Sequence, residues 1–415
     1  MNITSTFFLG VASMMLFSIE CFAQEKMVSE TAMPIIAWYG IPEAETTLER
    51  FKELKESGIN INYSPYSSIA AVEKALDIAK QAGIKLLPYC PELKSDPEKT
   101  VKRLMNHPAL SGYHIIDEPG ATQFAELGSW VKKIQAIDKK HYCYINLLPN
   151  YASDEQLFSK DYESKPGTDV YTEHVEAFLK EVPVPFISFD HYPLIEKDGE
   201  RMLRPLWYKN LEIAAAASQK HQLPFWAFAL TAAHKPYPVP TTAEIRLQVY
   251  SNLAYGAQTL QYFTYWTPSV NPNWDFHEAP IGLDGKRTAA YDRIKLLNQE
   301  IQNLAGVFLG ATLISVAHTG IQIPAGTKRL DKLPEHVQVL ETSDNGAIVS
   351  LLRKGENRFL VIVNRDFKNS MKLTLAGDAA VKRILKDGSI IPASAYTNTL
   401  AIDAGDAVIY MWKNQ

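Results

Sequence analysis

The sequence predicts an α/β protein, in which a (β/α)8 TIM barrel is followed by a small antiparallel β-sandwich. Between residues 33 and 306, eight short apolar runs alternate with eight amphipathic segments. This span of about 270 residues is close to the ~250 residues typical of such barrels. After residue 306 the helical periodicity disappears, and short apolar runs between turn signals predict antiparallel strands. The 415 residues suffice for one large and one small domain.

Each predicted barrel strand is an apolar run too short for a helix. The helix that follows the first strand carries Leu48, Phe51 and Leu54 on one side, and Ser57-Gly58 ends it. The predicted strands span residues 35–39, 59–63, 84–88, 113–116, 142–147, 186–190, 225–230 and 260–265. The predicted helices span residues 46–56, 69–81, 97–105, 122–137, 170–180, 207–220, 242–255 and 289–304. A doubly wound open sheet is the competing fold, but no GxGxxG motif separates the first strand from the first helix.

Residues 320–415 are predicted to form the β-sandwich, an accessory domain. Turn signals such as Asn345-Gly346, Lys354-Gly355 and Asp387-Gly388 separate its apolar runs. These runs span residues 337–340, 347–352, 359–363, 372–375, 381–384 and 407–412. The composition does not distinguish a carbohydrate-binding domain from one that only covers the barrel.

The first 23 residues are predicted to be a secretory signal peptide. Residues 7–19 are almost continuously apolar, and Cys21 and Ala23 supply small residues at positions −3 and −1 before Gln24, although no Lys or Arg precedes the run. Glu20 argues against lipid anchoring at Cys21. The run is shorter than the ~20 residues that span a bilayer. We therefore expect a periplasmic or extracellular protein without a membrane span.

The net charge of −4 gives no indication of nucleic-acid binding, and we expect none. Removal of the signal would leave Cys90 and Cys143, which form no disulfide framework and have no CxxC or Cys/His neighbour. We expect both to be buried free thiols. The strand ends offer no phosphate-binding loop and no metal triad, so we expect neither a cofactor nor a metal.

The segment GYHIIDEPG, from Gly112 to Gly120, holds the strongest candidates for chemistry. It places Asp117 and Glu118 after the fourth strand, where barrel enzymes carry their active sites. Because Pro119 disfavours the α conformation of the residue before it, we expect Glu118 to be extended and the next helix to begin after Gly120. Two adjacent acids suit acid/base chemistry if their pKa values differ. The simpler alternative is a helix cap and a surface ion pair.

Residues just past the other strands are predicted to line the same site. They are acids, amides, histidines and aromatic residues: Tyr39, Asn62, Tyr89, Asn146, Asp190, His191, Tyr192, His234, Tyr265 and Trp266. Such a set suits a neutral polyhydroxylated ligand, which stacks its C–H face on rings and hydrogen-bonds through its hydroxyls. Each residue also has a structural alternative. Asp190 and Tyr192 could brace the barrel mouth, Asn62 could satisfy loop backbone, and Tyr265 and Trp266 could be core.

GYHIIDEPG resembles the acid/base strand of clan A glycoside hydrolases, the barrel superfamily that includes family 5 endoglycanases and family 42 β-galactosidases. In that clan an Asn-Glu pair, often followed by Pro, supplies the general acid/base. The runs Gly282-Leu283-Asp284-Gly285 and Leu297-Asn298-Gln299-Glu300 and the appended sandwich are also similar to such enzymes. The resemblance implies an exported glycoside hydrolase acting on an oligo- or polysaccharide, with Glu118 as general acid/base.

Two departures from the clan leave three mechanisms open. Asp117 stands where the clan has Asn, and the seventh strand, FWAFALTAAH, lacks the nucleophilic Glu, for which Glu244 lies too far into the next helix. Asp190 could replace that acid, as nucleophile or as base. By similarity to N-acetylhexosaminidases, Asp117 could instead orient a substrate acetamido group while Glu118 protonates the leaving oxygen. In the third possibility the chain binds glycan without hydrolysing it.

Overall fold

The computed structural model describes residues 26–27, 29, 31–164, 166–269, 273–343, 345–393 and 398–414. The predicted signal peptide, residues 1–23, lies outside these ranges. No helix within them is both long enough and apolar enough to cross a bilayer.

The first part of the described chain is a barrel of eight parallel strands. Together with a hairpin of two further strands, they have the bounds β1 Ile35–Ala37, β2 Ile61–Pro65, β3 Lys85–Tyr89, β4 Gly112–Asp117, β5 Tyr142–Asn146, β6 Ile187–Phe189, β7 Leu194–Lys197, β8 Glu200–Leu203, β9 Phe225–Leu230 and β10 Thr259–Phe263. Strands β3, β2, β1, β10, β9 and β6 are hydrogen-bonded in that order, and β4 pairs with β5. The bridges Leu86–Leu110 and Leu147–Phe189 join the two groups into a closed ring. The hairpin of β7 and β8 is inserted after β6.

Helices follow the barrel strands, with bounds set by local capping. Ser68 accepts a hydrogen bond from the backbone N–H of Ala71 at the start of α2, and Gly83 ends that helix at φ 70°. The bounds are α1 Leu48–Glu56, α2 Ile69–Ala82, α3 Glu92–Ser95, α4 Pro97–Leu104, α5 Phe124–Ile137, α6 Asp154–Leu157, α7 Val170–Glu181, α8 Trp207–His221, α9 Thr242–Ala254, α10 Ala289–Asn303 and α11 Ala305–Phe308. Short 3-10 helices span Glu43–Glu45 and Ala121–Gln123. The alternation predicted from the sequence is confirmed, whereas the β7–β8 hairpin was missed.

Two antiparallel sheets form the C-terminal part. One has the order β11-β13-β14-β19-β16-β17 and the other the order β12-β15-β18. The bounds are β11 Thr312–His318, β12 Val337–Thr342, β13 Ala347–Lys354, β14 Asn357–Asn364, β15 Met371–Gly377, β16 Lys382–Ile384, β17 Ile390–Pro392, β18 Asn398–Ile402 and β19 Ala407–Lys413. The expected antiparallel fold is confirmed. Its predicted start at residue 320 is too late, because β11 already pairs with β13.

The sandwich packs on the barrel through α9. Ser350 of β13 donates a 2.6 Å hydrogen bond to the carbonyl oxygen of Ala254, at the end of that helix. Nearby, four charged side chains form what we call the junction network: Arg246 of α9, Glu300 of α10, Lys386 and Asp406. The two parts of the chain therefore share hydrogen-bonded and ionic contacts, and one cluster of buried apolar residues includes members of both.

Candidate active site

The predicted acids meet at the C-terminal ends of neighbouring barrel strands. Asp117 ends β4 and Asn146 ends β5, and the parallel register places these two residues opposite each other. The bridge Leu147–Phe189 then brings Asp190, the residue after β6, beside them. All three side chains, with Glu118, line one cavity of about 430 Å³. The strand ends therefore bring the two adjacent acids Asp117 and Glu118 together with Asp190, which is distant in the sequence.

The side-chain amide of Asn146 bridges two of the carboxyls. Its Nδ2 donates to Asp117 Oδ1 at 3.2 Å and to Asp190 Oδ1 at 3.1 Å. Its Oδ1 accepts a 2.9 Å hydrogen bond from Ser188 Oγ, which in turn accepts one from Gln261 Nε2 at 2.9 Å. Because this chain of donors fixes the amide orientation, the NH2 group of Asn146 faces the acids.

Glu118 contacts Asp190 directly. The two carboxyl groups share a hydrogen bond, and the backbone N–H of Glu118 donates to the Asn146 carbonyl at 2.9 Å. Glu118 has φ 49°, so the expectation of an extended residue is wrong. Pro119 disfavours only the right-handed α region, and these two contacts hold the residue in the left-handed region, which L-residues rarely adopt. The alternative of a cap and a surface ion pair also fails, since neither acid caps the following helix.

The surroundings favour protonation of all three acids. Desolvation, followed by the charge of Glu118, raises the pKa of Asp117 to about 7. Desolvation also raises the pKa of Glu118, and it raises that of Asp190 together with the charges of the other two. Water does reach Asp117 and Glu118 from the open side of the cavity, while protein crowds the other sides. The cluster therefore retains protons near neutral pH, which is the condition for a carboxylic acid to act as a proton donor.

Aromatic side chains form much of the cavity wall. They come from several different loops and strand ends: Trp38, Tyr192, Phe228, Phe263, Trp274 and Phe276. Among the residues predicted from the sequence, Asn146, Tyr192 and His234 line the cavity together with the three acids. The wall also includes Tyr151, Arg204 and Tyr237, which the sequence did not indicate. A polar floor beneath aromatic walls suits a sugar ring.

Four predicted binding residues have structural roles instead. Asn62 is buried, and its Oδ1 accepts a 2.9 Å hydrogen bond from the backbone N–H of Ile41. Tyr265 and Trp266 are buried in the core, and both backbone N–H groups donate to the carbonyl oxygen of Tyr39. His191 is buried with its Nδ1 3.1 Å from Asn210 Oδ1. Asn62 lies within β2, and Tyr265, Trp266 and His191 follow their strands. At either kind of position a side chain can turn into the protein instead of into the barrel mouth, so sequence position did not predict the roles of these four residues.

Tyr39 and Tyr89 also do not line the cavity. Both are half-buried and pack against an aromatic layer inside the barrel. In that layer, His114 lies between Tyr63 and Tyr144, with ring centroids 4.3 and 5.5 Å away. Burial lowers the pKa of His114 to about 3, so this ring is neutral. The layer supports the cavity from below.

The seventh barrel strand, β9, brings no acid to the cavity. Thr231, the residue after it, donates its hydroxyl to the carbonyl oxygen of Thr264. Glu244 is buried near the start of α9, where it accepts from the backbone N–H of Thr241 and pairs with Arg201 at 2.8 Å. Its role is therefore structural. Among the described residues, no group of three or more His, Cys, Asp or Glu side chains is arranged to hold a metal ion, and Cys90 and Cys143 are buried free thiols.

Solved structures with the same fold include glycoside hydrolases. A β-galactosidase from Bacillus circulans sp. alkalophilus aligns over 92% of this chain and 99% of that chain, with a TM-score of 0.60 and 10% identity. A catalytic mutant of a GH42 β-galactosidase from G. stearothermophilus covers 94% and 100%, with a TM-score of 0.55 and 9% identity. An α-amylase from Anoxybacillus covers 92% and 98%, with a TM-score of 0.51 and 8% identity. The chain thus has a TIM-barrel fold that glycoside hydrolases share.

No protein-family model and no curated protein matches the sequence. At identities near one residue in ten, the likeness to the solved structures is one of fold. The chemistry of this chain has to be argued from its own cavity.

Proposed function

We propose that this protein is an exported glycoside hydrolase that cleaves O-glycosidic bonds in an oligo- or polysaccharide, with Glu118 as general acid. The observation that carries the proposal is the convergence of Asp117, Glu118 and Asp190 on the floor of an aromatic cavity at the barrel mouth. That is where barrel enzymes carry their active sites. Export rests on the apolar segment within residues 1–23.

Glu118 suits the role of proton donor for two reasons. Desolvation raises its pKa, which favours the protonated form, and its side chain lines the cavity in which a leaving-group oxygen would lie. Asp190 is best described as a positioning residue, because its shared hydrogen bond fixes the Glu118 carboxyl. Trp38 and Phe263 offer ring faces on which a sugar can stack.

The contact between Glu118 and Asp190 bears on the mechanism. Retaining enzymes separate their two carboxyl groups by about 5–5.5 Å and inverting enzymes by about 6.5–9.5 Å, so that a sugar carbon or a water fits between them. Two carboxyls that share a hydrogen bond leave no such space. A second acid flanking the bond from β9 is also missing, since Thr231 follows that strand. These two features favour the substrate-assisted route, in which Asp117 orients an acetamido group of the sugar.

The decisive experiment measures hydrolysis of aryl glycosides by the mature chain and by Glu118→Gln. Wild type is expected to release phenol from at least one glycoside, and the variant to lose about 10²–10⁴-fold in kcat/KM. A poor leaving group depends more on protonation, so the loss should be larger for phenyl than for dinitrophenyl glycosides. The matched control is Glu126→Gln, on the exposed face of α5, which should retain full activity. An inactive wild type that still binds glycans would make the protein a lectin.

A second comparison separates the mechanisms. If the substrate-assisted route holds, activity is confined to N-acetylhexosaminides, and Asp117→Asn loses more than Asp190→Asn. If Asp190 is nucleophile or base, simple hexosides are also cleaved and the ranking of the two variants is reversed. Each variant keeps the side-chain volume, so altered packing does not explain a difference between them.

A further inference from the structure

Arg204 enters the cavity from an insertion in the barrel. The β7–β8 hairpin separates β6 from α8, and Arg204 directly follows β8. Its backbone N–H donates a 2.7 Å hydrogen bond to the carbonyl oxygen of Pro193, which anchors the base of the hairpin. The side chain lines the same cavity as the three carboxyls. The insertion thus adds a cation to a site whose floor is acidic.

The guanidinium of Arg204 is held in place by two tyrosines. Its central carbon lies 4.2 Å from the ring centroid of Tyr151 and 5.4 Å from that of Tyr237. Nη2 donates a 3.0 Å hydrogen bond to the Tyr237 hydroxyl, whereas the buried Nε has no protein partner. Stacking and this single bond fix the planar group and leave other N–H donors free.

No acidic side chain in the described ranges forms an ion pair with Arg204. Its neighbour Arg201, on the same hairpin, pairs with Glu196 at 3.7 Å and with Glu244 at 2.8 Å. Within the described residues, the one side-chain hydrogen bond of Arg204 goes to the Tyr237 hydroxyl, and none goes to the three carboxyl groups of the cavity. The positive charge of Arg204 is therefore available to a ligand.

We infer that Arg204 makes the cavity selective for glycans that carry an anionic group, either the carboxylate of a uronic acid or a sulfate ester. Both groups are planar or forked acceptors that a guanidinium binds through two parallel hydrogen bonds. The acidic floor would repel such a group, so it must lie against the hairpin wall, away from the bond that is cut. The inference rests on the proposed function only for its placement in a glycosidase site, because it concerns binding.

The test compares the binding of D-glucuronate, D-glucose 6-sulfate and D-glucose to the mature chain, followed by tryptophan fluorescence, since Trp38 and Trp274 line the cavity. We expect one anionic sugar to bind at least about tenfold more tightly than glucose. The preferred sugar identifies carboxylate or sulfate as the group recognised. Arg204→Met keeps an apolar stem between the tyrosines but removes the charge, and it should abolish this preference. Arg204→Lys keeps the positive charge but lacks the two parallel N–H donors of the guanidinium, so it should retain part of the preference for the anionic sugar.

Two controls guard against a folding defect. Arg103→Met removes an exposed arginine of α4 that pairs with Glu73, and it should leave the preference unchanged. Tyr237→Phe keeps the stacked ring but removes the hydroxyl that holds Nη2, so it should weaken anionic-sugar binding more than glucose binding. Melting temperatures of all variants are compared with that of wild type.

Equal or undetectable binding of anionic and neutral sugars by wild type would overturn the inference. So would an equal loss for both sugar classes in Arg204→Met. These outcomes are independent of hydrolysis: an inactive wild type that prefers an anionic sugar through Arg204 would refute the hydrolase proposal alone. A wild type that hydrolyses glycosides but binds anionic and neutral sugars equally would refute the anionic preference alone.

Discussion

The acids of the candidate active site and the junction network are two clusters of ionisable side chains that differ in how their charges are balanced. In the junction, Arg246 donates to Glu300 at 2.8 Å and to Asp406 at 2.7 Å, and Lys386 contacts the same two acids at 2.9 and 2.7 Å. In the candidate active site, the Asn146 amide donates to two of the three carboxyl groups, those of Asp117 and Asp190, and no cation of the described chain forms an ion pair with any of the three. One cluster is neutral and the other is purely acidic.

The balance of charge sets opposite pKa directions in the two clusters. Desolvation opposes ionisation of Asp406, but Lys386 and Arg246 outweigh it and hold the pKa of that carboxyl below its usual value. In the active site no cation opposes desolvation, and the pKa of Asp117 rises. The junction therefore stabilises the contact between the two parts of the chain, whereas desolvation and like charge in the acidic cluster of the candidate active site lower stability when its carboxyl groups ionise.

The largest expected change in unfolding free energy comes from a substitution in the junction network. Glu300→Gln removes the carboxylate that accepts from Arg246, Lys386 and Tyr250, and it leaves partly buried cations with one remaining acid. Breaking a buried ion network by removing one partner costs about 3 kcal/mol of unfolding free energy. Thermal or urea unfolding of the mature chain measures this loss.

The matched control for that prediction is Glu98→Gln. Glu98 pairs with Lys102 at 2.6 Å, but both side chains are more than half exposed. An exposed pair of this kind contributes at most about 0.5 kcal/mol. If the two variants lost the same free energy, the junction network would be no more than a surface contact.

Local sequence signals predicted the barrel and part of its site. Every barrel strand was predicted from apolar runs bounded by Gly and Pro and from the helical periodicity between them. Because the active sites of such barrels lie at the carboxyl ends of the strands, Asp117, Glu118 and Asp190 were predicted to lie near one another. The direction in which a side chain at or near a strand end points depends on tertiary contacts, such as the hydrogen bond from His191 to Asn210. Sequence position carries no such information.

The β7–β8 hairpin was missed for a different reason. Its strands are only four residues long, mostly exposed and rich in charge, so they lack the apolar runs that predict a strand. Because the hairpin was not predicted, Arg204, which follows its second strand, was not predicted as a site residue either. A turn signal does exist at Asp198-Gly199, where both residues have positive φ, and it could have indicated a hairpin.

The next largest expected difference in unfolding free energy arises from the backbone conformation of Glu118. Because this residue has φ 49°, Glu118→Gly should be more stable than Glu118→Ala by about 1 kcal/mol, since only glycine adopts the left-handed region without strain. The adjacent Asp117 is an ordinary strand residue, and there the order should reverse, with glycine about 0.5–1 kcal/mol less stable than alanine. Urea unfolding of the four variants measures both differences. The same order at both positions would remove the evidence for strain in the active site.

The smallest expected change in unfolding free energy depends on pH and measures how much the acidic cluster destabilises the fold. Desolvation and the charge of Glu118 raise the pKa of Asp117 to about 7, so folding favours its protonated form, and the stability gained below pH ~4 is lost as the pH rises through about 7. Asp117→Asn removes the ionisable group, so the variant does not lose this stability as the pH rises. The variant should match wild type near pH 4 and exceed its unfolding free energy at pH 8 by about 1 kcal/mol or less, because water reaches the carboxyl and screens the repulsion. The control is Asp331→Asn, at an exposed position, which should show no such rise. If the unfolding free energies of Asp117→Asn and wild type differed by the same amount at pH 4 and pH 8, the pKa of Asp117 would not be raised by folding. The contrast between the acidic cluster and the charge-balanced junction would then disappear.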